Sequence, residues 1–281
     1  MKQVRCGTAS DTIPIMFRKQ ITLLVTALAL PLLSIPVEGK EPPKPSTKVL
    51  ASITERGILL AGYDAAASHA SDAVEATHPK QGVIRRYIAR KTENGWVVDF
   101  GKMSDAGDKF EVSYEAVQSD SPMHFVVTPF DPTRQDLGWN FAAAKGIDIS
   151  LKDFHGADRP YNVAVLPDET GDMFVYVYLA QTKPNVYPYG ADVRYRISAD
   201  GTTILEKRPL HKSVIEIPPA SPSEGTPAGG YHTHILTDLP EDTDVLLVLQ
   251  RVPRVPEFIA AGGYMFEVDT TGKIIVKGRL K

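Results

Sequence analysis

The sequence predicts an α+β fold: strand-rich, with mostly antiparallel sheet and two modest helices in the first half. Three observations predict it. The 22 Pro and 21 Gly residues are scattered through the 281 positions, which favours short strands and turns over long helices. Short runs of alternating apolar and polar residues, each bounded by turn residues, follow one another from Gly82 onward. Two stretches read as helix without a strand alternative, an Ala-rich one near the start and an amphipathic one near position 140.

Taken in order, residues 16–20 (MFRKQ) are basic, and Ile21 to Ile35 is almost wholly apolar. The residues at 37–39 (VEG) are small or modest. Basic, apolar, small is the order of a secretory signal peptide, and 15 apolar-run residues are short for a membrane span of about 20. The expected organisation is a signal peptide over 1–39, with 1–15 as a possible upstream extension ahead of Met16. An uncleaved N-terminal anchor is the alternative. A Pro-rich, charged linker over 40–48 follows, then an N-terminal α+β lobe at 49–150 and a C-terminal β-rich lobe at 151–281. The boundary near Ile147 to Pro160 reads equally as a loop inside one domain.

Val49 to Leu60 fits a strand or a short helix. Tyr63 to Thr77 reads as a helix closed by His78-Pro79. Gly82 to Arg90, Gly95 to Phe100, Phe110 to Val117 and Met123 to Phe130 read as strands. Thr133 to Lys145 reads as a helix with Leu137, Phe141 and Ala144 on one face and Gly146 as its stop. Tyr161 to Leu166 and Met173 to Gln181 flank a turn. Asp192 to Ser198 and Thr202 to Lys207 flank Ala199-Asp200-Gly201, the strongest hairpin signal present. Ser213 to Ile217 is a short strand, and Pro218 to Pro227 a Pro/Ser loop. Val245 to Gln250 fits a buried strand or a helix opened by Thr243. Phe258 to Val268 and Lys273 to Lys277 close the chain as strands.

Composition bounds the function. A net charge of −3 without a basic block argues against nucleic acid as a partner. Cleavage after Gly39 removes four basic and two acidic side chains, leaving 27 and 32, a net of −5. It also removes Cys6, the one cysteine, so the mature chain has no disulfide, thiolate or lipid-anchor chemistry. The expected location is periplasmic or secreted, with no stable membrane insertion after cleavage.

The chemistry-bearing stretch is Ala228 to Arg251 (AGGYHTHILTDLPEDTDVLLVLQR). On a strand His232 and His234 share a face. Together with Asp244, ten residues on, they make a candidate metal set, zinc being the ion that such His and Asp donors suit. The same pair also fits a solvent-facing strand whose imidazoles bond to loops. The acidic turn from Thr237 to Asp244 lacks the glycine and the regular acid spacing of a calcium loop, and reads as the cap of the following element. His211 reads as a strand-edge residue, and His155 as a loop residue within possible reach of the pair. No G-x-S-x-G elbow is present. Phe174, Tyr176 and Tyr178 alternate along one strand, the pattern of a core wall or of a sugar- or peptide-binding face.

His-Thr-His followed by a Pro- and acid-rich turn and Asp244 resembles the metal site of the JAB/MPN family of zinc isopeptidases and related hydrolases. That resemblance covers about the last third of the chain and implies His232, His234 and Asp244 as ligands with an upstream glutamate as base; Glu169 lies at a plausible distance. The chain departs from the family pattern in a gap one residue short and in Glu241 where a serine is expected after Pro240. As a whole the chain resembles exported bacterial proteins of unknown function. The expected role is therefore a non-catalytic binding or envelope-associated protein that uses no cofactor, with an unknown protein or small ligand as partner. The alternative is a JAB-like metal-dependent amide or isopeptide hydrolase, with Glu169 its catalytic residue and zinc its cofactor.

Overall fold

A computed structural model describes residues 43–218, 225 and 227–280. The expected signal peptide and the first residues of the linker lie outside them. The described chain is α+β, with three helices and fourteen strands in mostly antiparallel sheets.

Helix α1 (Thr47–Glu75) replaces both the short element expected at Val49 to Leu60 and the separate helix expected from Tyr63. Its buried positions explain the fusion. Leu50, Ile53, Gly57, Leu60, Tyr63, Ala67, Ala70 and Val74 fall three or four apart, one continuous face. The two interior glycines and the Ala run weaken that pattern to the eye without breaking the face.

Strands β1 (Arg86–Thr92), β2 (Gly95–Met103), β3 (Phe110–Gln118) and β4 (Phe125–Asp136) form an antiparallel sheet in sequence order. Strand β4 runs to Asp136, so helix α2 (Trp139–Asp153) begins six residues later than expected and continues past Gly146. Gly146 is a contact rather than a stop: a Cβ there would press on Met173 Sδ at 3.0 Å and on Ile197. Its missing side chain lets α2 lie against the next sheet.

That sheet holds β5 (Tyr161–Pro167), β6 (Met173–Leu179), β8 (Val193–Ile197) and β9 (Ile204–Pro209), again antiparallel. The hairpin expected around Ala199-Asp200-Gly201 is the β8–β9 turn. Gly201 there has φ +74°, and Asp200 accepts from Ser198 and Thr202. Strands β7 (Tyr187–Tyr189) and β10 (Ile215–Ile217) pair with each other. The last sheet is β11 (Gly230–Thr233), β12 (Glu257–Ala261), β13 (Tyr264–Val268) and β14 (Ile274–Arg279). The run expected as one strand from Phe258 to Val268 is a hairpin folded at Gly262-Gly263, both in the left-handed region. Strands β11 and β12 are parallel, the one such pair among the described strands. Parallel neighbours need a crossover, and α3 (Asp242–Gln250) supplies it.

Two apolar cores result. The larger runs from Leu60 to Leu246 and draws on residues on both sides of position 150. The smaller joins Leu50 and Ile53 of α1, Val245 and Val248 of α3, and the β12–β14 sheet. Helix α3 faces both, and its first turn lies where they meet.

Candidate metal centre

The first turn of α3 is built from acids. Asp242 and Asp244 are fully buried, and Glu241, the residue before the helix, is nearly so. Asp244 Oδ2 accepts the Glu241 backbone N–H at 2.6 Å, half of a capping box. The acidic turn therefore caps α3, as the sequence suggests. It also does more, because the Asp244 carboxylate meets three imidazoles, Oδ1 facing His232 and His211 and Oδ2 facing His234.

His232 sits on β11 and His234 just past its end, where its N–H donates to Ala260 of the parallel neighbour β12. The third imidazole is His211, in the segment after β9. Nε2 of His234 lies 3.0 Å from Nε2 of His211 and 3.1 Å from Nε2 of His232. Asp244 Oδ1 is 3.1 Å from His232 Nε2 and 3.4 Å from His211 Nε2, and Oδ2 is 3.3 Å from His234 Nε2. The four residues form a buried cluster that can hold a metal ion.

Each imidazole is fixed from behind. His211 Nδ1 meets Asp192 Oδ1 at 2.8 Å, and His232 Nδ1 meets Glu257 Oε1 at 2.9 Å. His234 Nδ1 meets the Leu239 carbonyl at 2.9 Å and Thr237 Oγ1 at 3.0 Å. Carboxylate and carbonyl oxygens only accept, so every Nδ1 is a donor and each neutral ring turns its Nε2 lone pair inward. Glu257 is itself held by Arg251 at 2.8 Å. Gly230 leaves room for it: a Cβ at that position would overlap the Glu257 carboxylate.

Tyr189, the last residue of β7, completes the enclosure. Its hydroxyl donates to Asp244 Oδ1 and lies 3.0 Å from His232 Nε2 and 2.5 Å from His211 Nε2. Burial and the carboxylates of Asp244 and Asp192 push the phenol well above its ordinary range, so it stays protonated.

The charges follow from the crowding. Burial raises the Asp244 carboxyl, but His211 and hydrogen bonds from all three rings outweigh it and hold the group well below the usual carboxylate range. Burial lowers His211 and His232, yet Asp192 and Asp244 lift His211 well above the histidine range. Asp244 and Glu257 lift His232 to about 9. Each shift says the same thing: this cavity wants positive charge.

A cleft of about 400 Å³ opens on the cluster, walled by Leu210, Ile215, Tyr231, Ile235 and Leu236. Tyr231 and Ile235 are well exposed at its mouth.

The structure brings together His232, His234 and Asp244, and leaves Glu169 out. Glu169 is exposed in the β5–β6 turn, where Arg196 pairs with the flanking Asp168 and Asp172. That turn borders the Ile197 end of β8, whereas Asp192 and His211 border its Val193 end, four residues and about 13 Å away along the strand. His155 is also elsewhere, exposed and bonded to the Asp153 carbonyl. His211 is the member of the cluster that sequence reasoning missed. Its partner His232 is 21 positions away across a Pro/Ser loop, so no local spacing announces it. The Phe174, Tyr176, Tyr178 face is core wall at its two tyrosines: both are buried, with hydroxyls bonded to Asp242 and Asp64. No protein-family model, curated protein or solved structure matches this chain.

Proposed function

We propose that this chain is an exported zinc-binding protein whose metal has a non-catalytic role, as part of a binding or envelope-associated protein. One observation carries the reading. Three Nε2 atoms and one carboxylate face a single buried point, and every ring is held there by an acceptor on its other nitrogen. Zinc sits about 2.0–2.1 Å from such ligands, so a tetrahedron around it has edges of about 3.3–3.4 Å. Four of the edges, from His234 Nε2 to the other two rings and from Asp244 Oδ1 to His232 and His211, measure 3.0 to 3.4 Å, and all four ligand atoms lie within 4.8 Å of one another. The acceptors behind the rings are the outer shell that a metal-binding histidine needs. Four protein ligands fill a tetrahedron, the arrangement of a structural site rather than a catalytic one. Export is supported by the basic–apolar–small order of residues 16–39 alone.

The test is metal content. Protein purified without chelators should carry about one equivalent of zinc per chain. The His232→Ala, His234→Ala double variant should carry none while keeping its circular dichroism. Wild-type protein that takes up no zinc even when zinc is offered back would sink the reading.

The cleft beside the ligands favours a second reading, a JAB-like amide or isopeptide hydrolase. A bound metal supplies Lewis acidity and a water of lowered pKa. The base is the weak point, because Glu169 is remote and the nearer Glu241 and Glu257 are engaged by Arg208 and Arg251. Zinc-loaded protein that cleaves an isopeptide-linked substrate, with loss of cleavage in His232→Ala, would decide for this reading over the first.

A further inference from the structure

Away from the metal centre, α1, β1 and β5 leave a cavity of about 190 Å³ lined by both tryptophans of the chain. Trp96 and Trp139 face Leu59 and Val165 across it, and Arg90 and Lys91 complete the wall. No acidic residue lines it. Lys91 places its ammonium over the Trp96 ring, 5.6 Å from the centroid. Arg90 reaches Asp99 only at 3.4 Å, because that carboxylate is already taken by Arg134 at 2.5 Å and Asn140 at 2.7 Å. Arg134 has a second acid in Glu115 at 2.9 Å, so the charge left over at the cavity wall is that of Lys91, which pairs with no acid among the described residues. Two further donors on the wall residues, Arg90 Nε and Trp139 Nε1, are buried without a hydrogen-bond partner. Unpaired buried donors of this kind call for an acceptor that the protein does not supply.

We propose that this cavity is a binding site for a small aromatic or alkyl carboxylate. The apolar body packs between the indole rings and the aliphatic side chains. The carboxylate lies against Arg90 and Lys91, where it supplies the negative charge that the wall lacks and an acceptor beside the unpaired donors. The size is right for one ring with a short acidic arm, since an apolar cavity of about 150 Å³ accepts benzene. A polar neutral ligand is disfavoured by the apolar wall, and a cation by Arg90 and Lys91. The site is independent of the metal reading and survives its failure.

The two tryptophans make the test direct, because both emitters stand at the site. Phenylacetate is titrated into the full-length folded protein while tryptophan emission is followed, with 2-phenylethanol as the uncharged counterpart of nearly equal shape. The expected result is a saturable change with phenylacetate at least tenfold tighter than 2-phenylethanol. That preference should vanish in the Arg90→Gln, Lys91→Gln double variant. Arg90 also touches Asp99, so the exposed Lys91 is changed alone as well; a loss of about threefold is expected there with the fold unaffected. No saturable change overturns the site. Equal affinity for acid and alcohol, or a preference unmoved in both variants, overturns the carboxylate assignment.

Discussion

Asp242 and Asp244 stand two residues apart in one helical turn, both with no exposed surface. They have opposite company. Asp242 accepts from Arg194 at 2.6 Å, Arg56 at 3.0 Å and the Tyr176 hydroxyl at 2.8 Å. Arginine is always charged, so this carboxylate is neutralised at every pH at which the protein folds. Asp244 meets three imidazoles and a phenol, none of which carries a fixed charge. The first acid is closed within the protein. The second is complete only when something adds positive charge, a set of protons or a metal ion. Burial alone therefore does not identify a site; what separates the two is whether the compensating charge is permanent.

The largest effect should come from breaking the closed acid. Asp242→Ala leaves Arg56 and Arg194 facing each other across a buried gap, and removing one partner of a buried pair costs about 3–5 kcal/mol. Denaturant unfolding should show this loss equally with and without zinc. A loss that disappears when zinc is added would mean that the two acids are not separate. Next in size is removal of the metal itself. With free zinc at about 100 times its dissociation constant, binding adds about 2.7 kcal/mol, so chelation should lower wild-type stability by a comparable amount and leave Asp244→Asn unmoved. Equal chelator sensitivity in both proteins would contradict Asp244 as a ligand.

A smaller effect is expected behind the ligands. Glu257→Gln keeps the shape but weakens the hold on His232 Nδ1, and such outer partners are worth about 10–100-fold in metal affinity. A zinc competition titration measures it, and unchanged affinity would remove Glu257 from the centre. The pH dependence sharpens the comparison further. Without metal, His232 keeps its proton to about 9 against an ordinary 6.5. Its folded-state value is raised, so its stabilisation is whole below about pH 6.5 and is lost as pH rises through about 9. Zinc bound at the cluster would displace that proton, so its binding would strengthen over the same rise. The gap in melting temperature between zinc-loaded and chelated protein should therefore widen from pH 6 to pH 9; a constant gap would refute the exchange of proton for metal. The smallest effect belongs to Glu169→Gln. An exposed turn residue remote from the cluster should change stability by no more than about 0.5 kcal/mol and leave zinc content alone.

How far the sequence reaches follows from what each feature depends on. The β8–β9 hairpin is legible because Asp200 and Gly201 set the turn by their own chemistry. His232 and His234 are legible as a pair because a strand period puts them on one face, whereas Asp244 is only half legible, since the element it opens reads equally as a buried strand or a helix. Helix α1 is only half legible: its face is recognisable once the three-and-four spacing is traced through two glycines. Strand β7 and the role of His211 are not legible at all. Three residues of strand carry no pattern, and His211 acquires its meaning from Asp192 and from a strand that follows a long loop. Gly146 misleads for the same reason, since its value lies in what it touches on β6 and β8.

Helix α3 carries one last implication. Its Leu246 belongs to the larger core while Val245 and Val248 belong to the smaller, and its first turn carries Asp244. His211 leads back to the sheet of β5, β6, β8 and β9, and His232 to the β11–β14 sheet. An ion held at that junction would be a rivet through two plates. Without it, each core can open at its own free energy, and amide exchange would divide the molecule into two tiers of protection. With it, the slowest amides of both sheets would exchange together, and the molecule would melt as one body.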